Sequence, residues 1–141
     1  MLSPTTQDPA EVAAVARAAE AEALTAAGTF GAALRASPEF TALLAAENVL
    51  SVDVEANAAI EAFGARQAQL RPEIMMRVLD EAQRADLEGL QKAMVAVPSV
   101  ATYVAATAAF QAICRETAAV VTAQIGIDFA ANCRSGGGCC G

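Results

Sequence analysis

Histidine and tryptophan are both absent from this chain of 141 residues, and aromatic residues make up only 4% of it. Without histidine, the chain lacks the most common general base and the most common nitrogen ligand for metal ions. The composition therefore disfavours an enzyme. Hydrophobic residues still reach 55%, but many of them are alanine, which favours helix and buries little area. We expect closely packed helices around a core without bulky side chains.

Positive charge is also scarce, since 9 basic residues face 16 acidic ones and the net charge is −7. Direct binding of nucleic acid needs clustered positive charge, and an anionic membrane surface repels an acidic chain. The charge balance therefore predicts protein partners, without direct contact to nucleic acid.

No targeting or membrane segment is expected. The first eight residues contain neither a basic cluster nor an apolar run of the kind found in signal peptides. This predicts a cytoplasmic, reducing location in which disulfides are not the default. Residues 93–114 carry no charge, but they are rich in alanine and poor in leucine, isoleucine and phenylalanine. We interpret them as part of a buried helix–helix contact and not as a membrane span.

Helix start signals recur along the chain, and no alternating strand pattern occurs. Asp or Ser before Pro, or Pro alone, suits the first helical turn. These signals predict an all-α fold of about five helices in a bundle, starting at Asp8-Pro9, Ser37-Pro38, Ser51 or Asp53, Arg71-Pro72, and Pro98. The last helix is predicted to be long, continuing to about Ala131. We expect a disordered N-terminus at 1–7, a helical domain at 8–131 and a flexible Cys/Gly-rich tail at 132–141.

The predicted fourth helix, from 71 to about 94, has a strongly charged side. Glu88 and Lys92 stand four residues apart in the favourable order for an ion pair. The carboxylates of Asp80, Glu81 and Asp86 share this side with basic residues. We interpret them as solvent-exposed ion pairs and not as a catalytic pair.

The last helix carries two apolar rows. A heptad row consists of Val100, Tyr103, Thr107, Phe110, Cys114, Thr117 and Val121, and a second row of Ile113, Val120 and Ile127. Two rows on one helix indicate one face for the chain itself and one for a second chain. The alternative is a single broad face toward the core.

Three of the four cysteines, Cys133, Cys139 and Cys140, lie in a tail that also contains three consecutive glycines. Glycine would let nearby thiolates converge on a soft metal or an iron–sulfur cluster. The tail could equally hold a redox-active thiol pair, or its cysteines could be incidental. Its spacing matches no standard zinc pattern. Cys114 lies within the heptad row and is expected to be a small buried hydrophobe.

Several motifs resemble a known family, the YlbF/YmcA family of small helical bacterial regulators named for control of competence. The resemblance covers roughly residues 12–131. The supporting features, in chain order, are Ser-Pro-Glu-Phe at 37–40, a charged helix-loop-helix between 53 and 92, Val-Pro-Ser-Val-Ala-Thr-Tyr at 97–103, and a long final helix ending in Ile125-Gly126. The Cys/Gly-rich tail resembles that of the YlbF branch, although it offers three cysteines where the family tail usually offers four.

The resemblance implies a non-enzymatic regulatory adaptor that self-associates. It implies a complex with a YmcA-like and a YaaT-like subunit that holds iron–sulfur clusters and directs RNase Y in RNA processing, with effects on competence and biofilm formation. Carried over by position, Cys133, Cys139 and Cys140 are the candidate cluster ligands, with the cluster shared with partner subunits. The alternative functions are a stand-alone helical dimer whose tail binds zinc or copper, and a thiol enzyme using Cys139 and Cys140.

Overall fold

A computed structural model describes residues 8–131, and the predictions for 1–7 and 132–141 lie outside the described residues. The described part is helical and contains no strand, which confirms the all-α fold class. It forms α1 (Pro9–Arg35), α2 (Pro38–Val52), α3 (Val54–Gln69), α4 (Arg71–Met76), α5 (Glu81–Ala96) and α6 (Pro98–Ile125). Residues 129–131 begin a seventh helical segment.

The predicted count of about five helices is wrong chiefly because the predicted fourth helix is two helices. Arg77 adopts a left-handed conformation with φ of 57° and ends α4. Asp80 then starts α5 with a capping box. Its side chain accepts a hydrogen bond from the Gln83 backbone N–H at 2.7 Å, and its own N–H donates to Gln83 Oε1 at 3.0 Å. This cap satisfies N–H groups that a continuous helix would have paired with upstream carbonyls.

The last helix is also shorter than predicted, since α6 ends at Ile125 and not near Ala131. Gly126 lies in the left-handed region, with φ of 73°, and its N–H donates to the Thr122 carbonyl. The chain then turns, and the Phe129 N–H donates to Thr122 Oγ1 at 3.2 Å. Glycine adopts this conformation without the steric cost that other residues incur. The 28-residue helix is therefore about 42 Å long.

Residues 8–38 form a unit of their own that consists mainly of α1. The predicted start is confirmed, because Asp8 Oδ1 accepts a hydrogen bond from the Ala10 N–H at 2.9 Å. None of the 27 residues of α1 is buried, and Val12, Val15 and Leu24 are each at least half exposed. Its length and its alanine content, rather than burial, favour the helical state.

Residues 39–131 form the second unit, whose core consists of small side chains. Ala56, Val97 and Val100 are buried together, and Leu50 and Met94 are among the side chains packed against them. No large side chain in the described part of the chain is fully buried. Leu70, at 4% exposure, is the largest of the buried hydrophobic side chains in the described part, and the others are alanine and valine.

Helices α3 and α5 pack antiparallel in this unit. Arg66 Nε lies 2.6 Å from Asp86 Oδ2 near one end of the pair, while Met94 packs against the cluster that contains Ala56 near the other. Along α3, Ala56 is fully buried, whereas the larger Ile60 is 37% exposed. The face turns toward alanine because two helix backbones can approach most closely there.

Helix α2 runs antiparallel to the first half of α6. The rings of Phe40 and Phe110 lie 5.4 Å apart and are tilted by 54°, a favourable geometry for two aromatic rings. The whole heptad row of α6 is buried or half-buried, whereas Val120 of the second row is 62% exposed and Ile127 lies beyond the end of the helix. The heptad row thus faces the chain itself, and a second chain on the other row stays a prediction.

Replacing Phe110 with alanine should lower the free energy of unfolding by about 2 kcal/mol, because it removes a half-buried aromatic contact in a core with few large side chains. Urea denaturation followed by circular dichroism measures this change. Val120→Ala is the matched control on the same helix, and its effect should stay within about 0.5 kcal/mol because Val120 is exposed. Equal losses in the two variants would contradict the packing described here.

Candidate interaction surface

A groove lies between α2 and the first turns of α6. Its volume is about 450 Å³. Most of its lining is small and apolar, and it consists of Ala42, Ala45, Ala46, Val49, Asp53, Pro98, Ser99 and Thr102. The short alanine side chains make the groove shallow, and its polar groups are concentrated where α2 ends and α6 begins.

Asp53 occupies the single position between α2 and α3. Its backbone is extended, with φ of −80° and ψ of 108°, and its Oδ1 accepts hydrogen bonds from the N–H groups of Glu55 at 3.0 Å and Ala56 at 3.1 Å. Two of the N–H groups that begin α3 are thereby satisfied by one carboxylate oxygen.

Asn57 completes this junction from the first turn of α3. Its Nδ2 lies within hydrogen-bond distance of the carbonyls of Asp53 at 2.8 Å, and of Leu50 and Ser51 at 3.3 Å. The Leu50 carbonyl also accepts from the Asp53 N–H at 3.2 Å and the Asp53 carbonyl from the Asn57 N–H at 3.0 Å, so the Asn57 amide connects the end of α2 to the first turn of α3. The junction therefore fixes the angle between α2 and α3.

Ser99 connects this junction to a second one. Val97 is extended between α5 and α6, Pro98 takes the first position of α6, and Ser99 follows with an exposure of only 8%. Its Oγ donates a hydrogen bond of 2.6 Å to Asp53 Oδ2. The bond from Ser99, followed by the N–H of Ala56, lowers the pKa of Asp53 below its ordinary value of 3.8.

The pair of Asp53 and Ser99 has a structural geometry and not that of a catalytic dyad. Both carboxylate oxygens already accept hydrogen bonds, and the lowered pKa makes Asp53 a weak proton acceptor. The groove can therefore bind a partner through shape and apolar contact, while this pair holds its walls in place.

The predicted metal and cluster ligands, Cys133, Cys139 and Cys140, lie outside the described residues. Cys114 is half-buried on α6, where the heptad row placed it, and its thiol is free. Between residues 8 and 131 there is no group of three or more His, Cys, Asp or Glu side chains that could hold a metal ion. The donor set of the described part therefore does not form a metal or cluster site.

The sequence predicts a helix start at Ser51 or Asp53, and the structure shows that Asp53 is the cap, but its partner Ser99 was not predicted. The two residues are 46 positions apart, so no periodic pattern joins them. The available signal was the local one, namely an aspartate that ends one helix and starts another, together with a serine that follows proline at the start of α6.

Large apolar side chains are exposed beside the groove and beyond it. Val49 in the groove wall is 58% exposed, and Val104, two residues after Thr102 on α6, is 51% exposed. At the far end of α6, Val120, Ile125 and Ile127 are each more than half exposed. Apolar surface left in contact with water marks sites of association.

By length and composition alone, α6 is the one helix in the described part that could cross a membrane. Core helices of soluble proteins pass the same test. Arg115 and Glu116 lie near the middle of α6, where each charge would be costly in a bilayer. The contact between Phe110 and Phe40 also occupies one face of the helix. These features favour packing against protein.

Comparison with sequence models of known families matches residues 23–126 to the family described as "Control of competence regulator ComK, YlbF/YmcA". The match begins within α1, includes α2 to α6 in full and ends at Gly126. It covers well over half of the chain and both junctions that frame the groove. Searches of curated proteins and of solved structures gave no match.

Replacing Ser99 with alanine should lower the urea midpoint at neutral pH, because it removes the hydrogen bond that stabilises the Asp53 carboxylate. A carboxylate with a lowered folded-state pKa contributes stability above its unfolded pKa, here near 3.8, and loses it as the pH falls through the lower folded value. The difference between wild type and S99A should therefore shrink below about pH 3.8.

The control for this series is Ser51→Ala, since the exposed Ser51 hydroxyl bonds only the Asn48 carbonyl of its own helix. Its midpoint should stay close to that of the wild type at every pH. A loss in S99A that is constant from pH 7 to pH 2 would show that the bond does not act through the ionised carboxylate.

Proposed function

Because the chain belongs to the YlbF/YmcA family of competence regulators, we propose that it is a non-enzymatic regulatory adaptor that acts by binding other proteins. The observation that carries this proposal is the family match over residues 23–126, which spans the whole groove and every helix from α2 to α6. In finer detail, we propose a role like that of the YlbF subunit. In that role the chain joins YmcA-like and YaaT-like subunits in the cytoplasm and directs RNase Y-dependent RNA processing, with effects on competence and biofilm formation.

The surface of the described residues supports a binding role in two ways. Large apolar side chains remain exposed on both units, and burying them in a complex would be favourable at roughly 25 cal/mol per Å². The groove is lined mainly by alanine, valine and proline, so an apolar helix could approach its walls closely. Both features match recognition of protein and not turnover of a small substrate.

The tail sequence supports the proposal that the complex holds an iron–sulfur cluster. Cys133, Cys139 and Cys140 would supply three thiolates, one short of the four that such clusters usually bind. The remaining ligand would then come from a partner subunit, so cluster assembly would require the complex.

The test is anaerobic co-expression of the full chain with the YmcA-like and YaaT-like subunits of the same genome, followed by size-exclusion chromatography with mass measurement and iron and sulfide analysis. We expect a mixed complex with a broad absorbance band near about 400 nm, of the kind that thiolate-bound iron gives. Changing all three tail cysteines to serine should remove the band and the iron.

Cys114→Ser is the matched control, because it removes the one described thiol and should leave both iron and absorbance intact. Failure of the subunits to associate would contradict the adaptor role. A colourless protein that carries zinc or copper without any partner would instead support the stand-alone metal-binding dimer.

A further inference from the structure

The turn of the antiparallel pair α3 and α5 exposes apolar side chains that contribute to no core. We call residues 71–78, which comprise α4 and the start of the turn after it, the Met–Arg tip. Met75 is 76% exposed, Met76 66% and Val78 59%. Two adjacent, largely exposed methionines are unusual on a surface unless they contact another molecule, because unbranched and polarisable side chains suit adaptable binding surfaces.

The tip has a sign of charge opposite to that of the rest of the chain. Residues 71–78 contain two arginines and one glutamate, a net charge of +1, so the remaining residues carry a net charge of −8 in a chain whose total is −7. Arg66 is paired with Asp86. Arg71 and Arg77 are exposed and form no ion pair within residues 8–131. Two free guanidinium groups therefore flank the methionines.

The backbone holds this arrangement in a defined shape. Arg77 is the one residue other than glycine with positive φ in the described part, and the N–H of Val78 closes the turn on the Glu73 carbonyl at 2.9 Å. Glycine would adopt this conformation more easily. An arginine at this position places a charge at the tip despite the less favourable backbone.

We propose that the Met–Arg tip is a docking site for an acidic segment with apolar anchor residues on a partner protein. Methionine and arginine are enriched in protein interfaces, and the free arginines complement carboxylates, to which guanidinium binds in a fork. The inference rests on the proposed adaptor function and names the surface and the partner chemistry for it.

The same surface fits other occupants less well. Residues 71–78 contain no aromatic side chain on which a nucleic-acid base could stack. The net charge of −8 on the rest of the chain opposes both RNA and an anionic membrane. A second copy of the chain is a possible source of carboxylates, and the measurements below separate it from another protein.

The experiment measures binding of the full-length chain to the purified YmcA-like and YaaT-like subunits at low and high salt. The double variant R71E/R77E and the double variant M75S/M76S should each weaken binding at least tenfold. The charge-reversed variant should also lose most of the salt dependence. The controls are Arg115→Glu, an exposed arginine on α6, and Ser51→Ala, an exposed serine whose hydroxyl bonds only the Asn48 carbonyl of its own helix. Both should bind within twofold of the wild type.

The variant Arg77→Gly distinguishes a loss of binding from a loss of folding. Glycine relieves the left-handed conformation while removing the charge, so this variant should melt no lower than the wild type and still bind more weakly. In one outcome the wild type binds the subunits while R77G and R71E/R77E bind as tightly as the controls. That result would contradict the proposed docking site and would not contradict the proposed adaptor function.

If the wild type binds neither subunit, the proposed adaptor function is wrong. The docking site is then tested separately, by measuring binding of a helical peptide of about 20 residues built from glutamate and leucine. Binding of this peptide that R71E/R77E abolishes supports the tip, and binding that is absent or unchanged overturns it. Single-stranded RNA that binds the wild type but not R71E/R77E would overturn it in favour of nucleic acid. A lower mass for R71E/R77E would overturn it in favour of a second copy.

Discussion

The hydrogen bond between Ser99 and Asp53 is the constraint on which the arrangement of α2, α3, α5 and α6 depends. Asp53 starts α3 with one carboxylate oxygen and holds the start of α6 with the other. The bond thereby joins the α2–α3 junction to the α5–α6 junction. The buried residues lie beside it, since the Ala56 N–H bonds Asp53, and Val97 and Val100 are close to Ser99 in sequence. Hydrophobic burial has no direction, so in a core of small side chains a charge-assisted bond specifies the geometry.

The small core has a consequence for the surface. Alanine at the contact positions of α2 and α3 lets helices approach closely, but it removes little apolar area from water. The larger apolar side chains then remain exposed, as at Val49 in the groove wall and Val120 on α6. A fold of this kind gains stability when a partner covers that area, because binding to the folded state alone shifts the folding equilibrium toward it. This property suits the regulatory family to which the chain belongs.

Local sequence signals predicted most of the helix starts. They did not predict the left-handed break at Arg77 or the hydrogen bond between Ser99 and Asp53, which are distant in sequence. Asp8, Pro38, Asp53 and Pro98 mark starts because capping and a fixed φ act within one turn. The break at Arg77 was missed because a left-handed arginine leaves no signature in helix propensity. The family resemblance places the end of the last helix at Ile125-Gly126, whereas helix propensity alone extends it to about Ala131, because the alanines at 130 and 131 also favour helix.

The buried Ala56 of α3 could not be recognised from the periodicity of large side chains, because alanine recurs on every side of this helix. The bond from Ser99 to Asp53 could not be read from the sequence, since it joins residues that only the fold brings together. The roles of Cys133, Cys139 and Cys140 stay predictions, as they lie outside the described residues.

Recognition and thiol chemistry are divided along the chain. Within residues 8–131 the one thiol, Cys114, is half-buried on α6, and the Asp53 carboxylate is committed to helix caps and to Ser99. The helical part thus offers shape, apolar contact and the charge of the Met–Arg tip. Three of the four thiols follow it in residues 132–141, beyond the Gly126 turn that ends α6. Under the proposed function the three tail thiolates need a fourth ligand from a partner subunit, so the proposed cluster would form only after the helical part has bound that partner.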